Sequence, residues 1–75
     1  MKKYPDRSGN SGVKAFEPGD DFIIVQFIDG STYLYNYIRP GKMHVDAMKV
    51  YARSGMGLAT YINQNVRNNF FSRIN

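Results

Sequence analysis

The chain has no cysteine and no tryptophan, and only one histidine, in 75 residues. Without cysteine, disulfides and thiolate metal sites are excluded. His44 has no second histidine to pair with, so a zinc or iron cage would need carboxylates, and the acids are scattered, most of them in turns. No apolar run approaches the length of a membrane span. The start, Met1-Lys2-Lys3-Tyr4-Pro5-Asp6-Arg7-Ser8-Gly9-Asn10, lacks the apolar stretch of a signal peptide, which predicts a cytoplasmic protein. There is no Walker-type loop, no serine, histidine and acid in a local motif, and no carboxylate pair in an apolar setting. Together these absences predict a protein that binds rather than catalyses, without a cofactor.

Seventy-five residues allow one domain with one core, close to the lower size limit for a chain without disulfide or metal staples. Self-association is the usual remedy. The net charge of +4 is unevenly placed. Residues 39–75 carry Arg39, Lys42, Lys49, Arg53, Arg67 and Arg73 against Asp46 alone, whereas residues 1–38 carry four bases against five acids. A basic C-terminal half suits an anionic partner such as nucleic acid, nucleotide or acidic protein; it also suits a solvated face that keeps the protein soluble.

Residues 1–11 are polar, rich in glycine and serine and without periodicity, and read as a mobile tail ahead of a single domain, 12–75. Gly12 to Phe16 alternates like an edge strand and ends at the turn Glu17-Pro18-Gly19-Asp20. Phe22 to Ile28 and Ser31 to Tyr37 are β-branched and aromatic strands joined at Asp29-Gly30, a hairpin. Pro40-Gly41 opens a helix in which Met43, Ala47, Val50 and Tyr51 share one stripe and Asp46, Lys49 and Arg53 another. Gly55 sits where a left-handed residue would close that helix. A shorter helix from about Leu58 to Arg67 turns Leu58, Ile62 and Val66 inward. The apolar residues of the last eight positions, Phe70, Phe71 and Ile74, are expected to dock. The fold class is α+β, a three-stranded antiparallel meander with two helices packed on one face.

The ordered series of these segments resembles the KTSC domain, a short bacterial module found alone or at the C-terminus of some lysyl-tRNA synthetases. The likeness covers about residues 11–74. It runs through alternating Ile23, Val25 and Phe27, the strand motif Tyr33-Leu34-Tyr35, the small-residue turn Ser54-Gly55-Met56-Gly57, and Tyr61-Ile62 followed by Val66-Arg67. The chain departs from the family at Asn63, Gln64, Asn65, Asn68 and Asn69, where members are more basic and aromatic. Attachment to a tRNA synthetase implies RNA as the partner.

Three constellations carry candidate chemistry. Tyr33, Tyr35 and Tyr37 share one strand face; they are either a base-stacking platform or core tyrosines with hydroxyls at the rim. A three-residue loop, Ile28-Asp29-Gly30 with Gly30 left-handed, would gather them with Ile23, Val25 and Phe27, whereas a two-residue loop would not. The other sheet face would carry Phe22, Ile24 and Leu34, apolar enough to predict a homodimer interface, unless the C-terminal aromatics fold back over it. Arg53-Ser54-Gly55-Met56-Gly57 ahead of a helix reads as an anion nest with Arg53 and Arg67 as its guanidinium groups, or as an ordinary helix-ending glycine and short loop. The leading expectation is a module for RNA or another phosphorylated ligand, using Arg53, Ser54, Gly55, Gly57, Arg67, Tyr33 and Tyr35. The alternative is a homo-oligomeric interaction module, or a phage-type inhibitor or sponge for a small nucleotide signal.

Overall fold

The computed structural model describes residues 1–7, 9 and 11–75. Among the described residues five antiparallel strands, β1 (Lys2–Lys3), β2 (Val13–Pro18), β3 (Phe22–Phe27), β4 (Thr32–Asn36) and β5 (Ser72–Arg73), lie side by side in chain order. Helix α1 (Lys42–Ser54) and the short α2 (Leu58–Tyr61), which runs on into a π-helical turn at Ile62–Val66, complete the α+β fold. The sheet is therefore larger than the three strands the alternation predicts. The two additions are two-residue edge strands, too short to show a period, and ladder hydrogen bonds rather than side-chain pattern recruit them.

The hairpin β3–β4 closes through Ile28-Asp29-Gly30. The Gly30 amide donates to the Phe27 carbonyl at 2.9 Å and the Phe27 amide to the Ser31 carbonyl at 2.8 Å. Gly30 has φ +91, the left-handed conformation this loop demands and an L side chain resists. Odd positions consequently face odd positions, Ile23 opposite Tyr35 and Val25 opposite Tyr33. The pleat sends Ile23, Val25 and Tyr35 into the core and leaves Ile24 and Leu34, also opposite one another, on the reverse side.

Helix α1 covers the inner face of β3 and β4. Gly55 ends it at φ 78, its amide returning to the Tyr51 carbonyl. The inward stripe is Val45, Met48, Lys49 and Ala52, not the one suggested by Met43, Ala47, Val50 and Tyr51. Met43 is 76% exposed and Val50 62%. The helix has apolar residues on both sides, so docking decides which side is buried. Lys49, placed by helical spacing on the polar stripe with Asp46 and Arg53, lies inside the contact; its ammonium donates to the carbonyls of Gly19 at 2.5 Å and Asp20 at 3.1 Å, fastening α1 to the β2–β3 turn. Leu58, Ile62 and Val66 complete the core.

The N-terminal stretch read as a tail contributes to this core. Lys2 and Lys3 pair with Phe16 and Ala15. Tyr4 is buried, its ring edge-on to Phe16 and its Oη accepting from the Leu58 amide at 3.4 Å. Ser8 and Asn10, which fall in the same stretch, lie outside the described residues. At the other end Phe70 docks against Tyr33 and Tyr35, while Phe71 and Ile74 remain exposed. No helix among the described residues is long and apolar enough to cross a membrane.

Candidate functional site

The residues nominated from sequence are not brought together. Tyr35 is 1% exposed and enclosed by the core, where burial pushes its hydroxyl up to about 12, with Tyr33 adding to the shift. Tyr33 packs between Phe27 and Phe70, with the Arg73 guanidinium 5.6 Å from its ring centre. As a stacking platform this strand face is covered by its own neighbours. Arg67 bends back so that its Nε donates to the Asn63 carbonyl at 3.0 Å. Arg53 is exposed in the last turn of α1, and its side chain makes no hydrogen bond or ion pair among the described residues.

Three amides at the glycine-rich turn are committed within the fold. The Gly55 amide goes to Tyr51, the Met56 amide to Ser54 Oγ at 3.3 Å, and the Leu58 amide to Tyr4. The base that reaches the turn is Arg7, whose Nε donates to the Ser54 carbonyl at 2.9 Å and whose amide donates to the Gly55 carbonyl at 2.7 Å. Pro5 seals the other side; a Cβ on Gly55 would come within 2.8 Å of its ring. The geometry is that of a helix-closing glycine sealed by the N-terminal segment rather than an open nest. Nor do Tyr37 and Asp46, at the start of α1, make a free site. Tyr37 Oη donates to Asp46 at 2.9 Å and Lys42 to the same carboxylate at 2.7 Å. That pairing holds the Asp46 carboxyl below the usual range and raises Tyr37 and Lys42. No group of three histidine, cysteine or acidic residues stands together among the described residues.

What the fold does assemble is a groove of about 370 Å³ where the end of α1 meets α2 and the π-helical turn, lined by Tyr51, Gly57, Thr60, Tyr61, Gln64 and Asn65. Its aromatic wall is built in three steps. His44 and Tyr51, two turns apart on α1, fall on the same helix stripe. Tyr61 sits beside both, its ring centre 5.2 Å from Tyr51 and 5.9 Å from His44. A 2.7 Å hydrogen bond between Tyr61 Oη and His44 Nδ1 then fixes the Tyr61 ring. Desolvation, with Tyr51 adjacent, raises the Tyr61 hydroxyl above its ordinary value. Tyr51 is backed by Gly57, where a Cβ would lie 3.2 Å from its ring, yet it stays 38% exposed. The opposite rim comes from the π-helical turn. Along it Ile62 and Val66, four residues apart, are both buried while Asn63, Gln64 and Asn65 are exposed.

Sequence pattern does not find this groove. Tyr51 reads as a core residue by helical spacing, and Gln64 and Asn65 read as departures from a basic motif. The chain reverses at the αL glycine at 57, and the π-helical turn that follows lines the groove together with Tyr51. Compared with protein-family models, curated proteins and solved structures, the chain matches none.

Proposed function

We propose that this chain is a small, non-enzymatic binding module for single-stranded RNA or another nucleotide-like ligand, which it holds in the groove between α1 and α2. The observation that carries this reading is the ordered aromatic pair, an exposed Tyr51 beside a Tyr61 fixed by His44, with hydroxyl and carboxamide groups on the facing rim. Aromatic plates bind any base by stacking, and pre-ordered side chains lose little freedom on binding. The net charge of +4 favours a phosphate backbone alongside. The resemblance to the KTSC domain, through Tyr33-Leu34-Tyr35, Ser54-Gly55-Met56-Gly57 and Tyr61-Ile62, supports an RNA partner by analogy.

The test is fluorescence anisotropy of a short labelled single-stranded RNA, titrated at low and moderate salt. Affinity falls steeply with salt if phosphates are neutralised. Tyr51→Ala weakens binding by about 1–3 kcal/mol, and Tyr51→Phe, which keeps the ring, binds as the parent does. A Tyr51→Ala protein that binds RNA like the parent removes the groove from the reading.

A second reading, a homo-oligomeric interaction module, is favoured by the exposed Met43 and Val50 on the outer side of α1 and by the apolar outer sheet face at Phe22, Ile24 and Leu34. Light scattering coupled to gel filtration decides it. A monomer mass at all micromolar concentrations eliminates this second reading.

A further inference from the structure

The α1–α2 groove carries no charge. In a chain with ten bases and six acids, its lining is two tyrosines, a glycine, a threonine and two carboxamides. A phosphate entering it finds no cation in the lining, and the Gly55, Met56 and Leu58 amides beside it are used internally. A neutral heteroaromatic ring finds what it needs: a ring to stack on and in-plane donors and acceptors at its edge.

Resting on the reading above, we propose that the groove recognises the uncharged nucleobase itself, so that a nucleoside without any phosphate is a sufficient ligand. The volume of about 370 Å³ stands at the small end of ligand pockets, the size of one nucleoside rather than a run of nucleotides. The stacking surface is set before the ligand arrives, because Tyr61 is held by His44 and Tyr51 by Gly57 and Tyr61. The rim retains hydrogen-bonding capacity. Gln64 and Thr60 make no side-chain hydrogen bond among the described residues, whereas Asn65 spends one donor on the Tyr61 carbonyl at 3.1 Å and keeps its acceptor. A carboxamide presents a donor and an acceptor side by side, the pattern that pairs with the edge of a base. Gln64 is accordingly the residue that reads the base, and Tyr51 the one that stacks on it. Any phosphates of a longer ligand lie outside the groove.

The experiment is a titration of isotopically labelled full-length protein with adenosine, adenosine monophosphate and ribose 5-phosphate, read by amide chemical shifts, with a short single-stranded RNA as companion. Adenosine and the monophosphate should move the resonances of Tyr51, Gly57, Thr60, Tyr61, Gln64 and Asn65, with affinities within about threefold of each other and nearly independent of salt. Ribose 5-phosphate should move none of them. Tyr51→Ala should weaken adenosine binding by about 5- to 150-fold, and Gln64→Ala, an exposed change that leaves the fold intact, should weaken it while stacking persists. If RNA and the monophosphate bind but adenosine does not, the nucleobase assignment is overturned and the binding-module reading stands. Adenosine binding that is indifferent to both Tyr51→Ala and Gln64→Ala also overturns the assignment. If RNA, adenosine and the monophosphate all leave the groove resonances unmoved, the binding-module reading itself falls.

Discussion

The hairpin β3–β4 and helix α1 both carry apolar residues on two sides, and they commit those sides by different physics. In the hairpin, strict alternation ties every residue to a face once the register is set, so Ile23, Val25 and Tyr35 go in together and Ile24 and Leu34 stay out together. A one-residue slip would exchange the two sets whole. In α1 no such rule operates. Val45, Met48 and Ala52 form one apolar stripe, and Met43, Ala47, Val50 and Tyr51 form another. Docking selects between them, and Lys49 helps to select, because in the observed rotation its ammonium reaches the carbonyls of Gly19 and Asp20. A strand's inner face is thus a local property of the chain, whereas a helix with two apolar stripes takes its inner face from its tertiary partners.

The largest expected effect comes from the hairpin side. Tyr35→Ala should leave a cavity under α1 and cost about 3–5 kcal/mol, enough to unfold a domain of this size, measured by urea denaturation followed by circular dichroism. Tyr35→Phe keeps the ring and supplies a control with a distinct signature. The folded pKa of Tyr35 is raised to about 12 from the ordinary 10.0, so its neutral hydroxyl contributes stability that is full below pH 10 and is lost as pH rises toward 12. Tyr35→Phe should flatten that alkaline loss. A Tyr35→Ala protein that denatures like the parent would break the assignment of the inner sheet face.

On the helix side, Lys49→Ala removes two charge-assisted hydrogen bonds to carbonyls and should cost about 1.5–3 kcal/mol. Were Lys49 on a solvated face, the change would stay within roughly 0.5 kcal/mol. The measured value therefore reports directly which side of α1 is docked.

The hairpin, the limits of α1 and the inward Leu58, Ile62 and Val66 were legible in the sequence because each rests on local chemistry. Asp29-Gly30 sets the loop, Gly55 ends the helix, and four-residue spacing aligns the three core residues of the last helical segment. The edge strands were not legible, since Lys2–Lys3 and Ser72–Arg73 are two residues each. Tyr4 was hidden too. Nothing in Tyr4-Pro5-Asp6 announces a core residue, and its burial depends on Leu58, 54 positions away, and on Phe16. Of the residues chosen for a site, Gly57 does line the groove, whereas its tyrosines are Tyr51 and Tyr61 rather than Tyr33 and Tyr35. Periodicity had assigned Tyr51 to the core along with Met43 and Val50, and a π-helical turn leaves no mark in residue spacing.

Smallest of all should be the effect of Met43→Ser together with Val50→Ser. Both side chains are largely exposed, and the pair should alter thermal stability by no more than roughly 0.5 kcal/mol in the monomer. A loss of several kcal/mol would place this stripe in a buried contact, either on the sheet or between copies.

The most direct test of the proposed function is an amide chemical-shift map of the labelled protein on addition of a short single-stranded RNA. The groove reading predicts shifts concentrated at Tyr51, Gly57, Thr60, Tyr61, Gln64 and Asn65, with the outer sheet residues Phe22, Ile24 and Leu34 unmoved. Shifts confined to the sheet face, or none at all at saturating RNA, would contradict it.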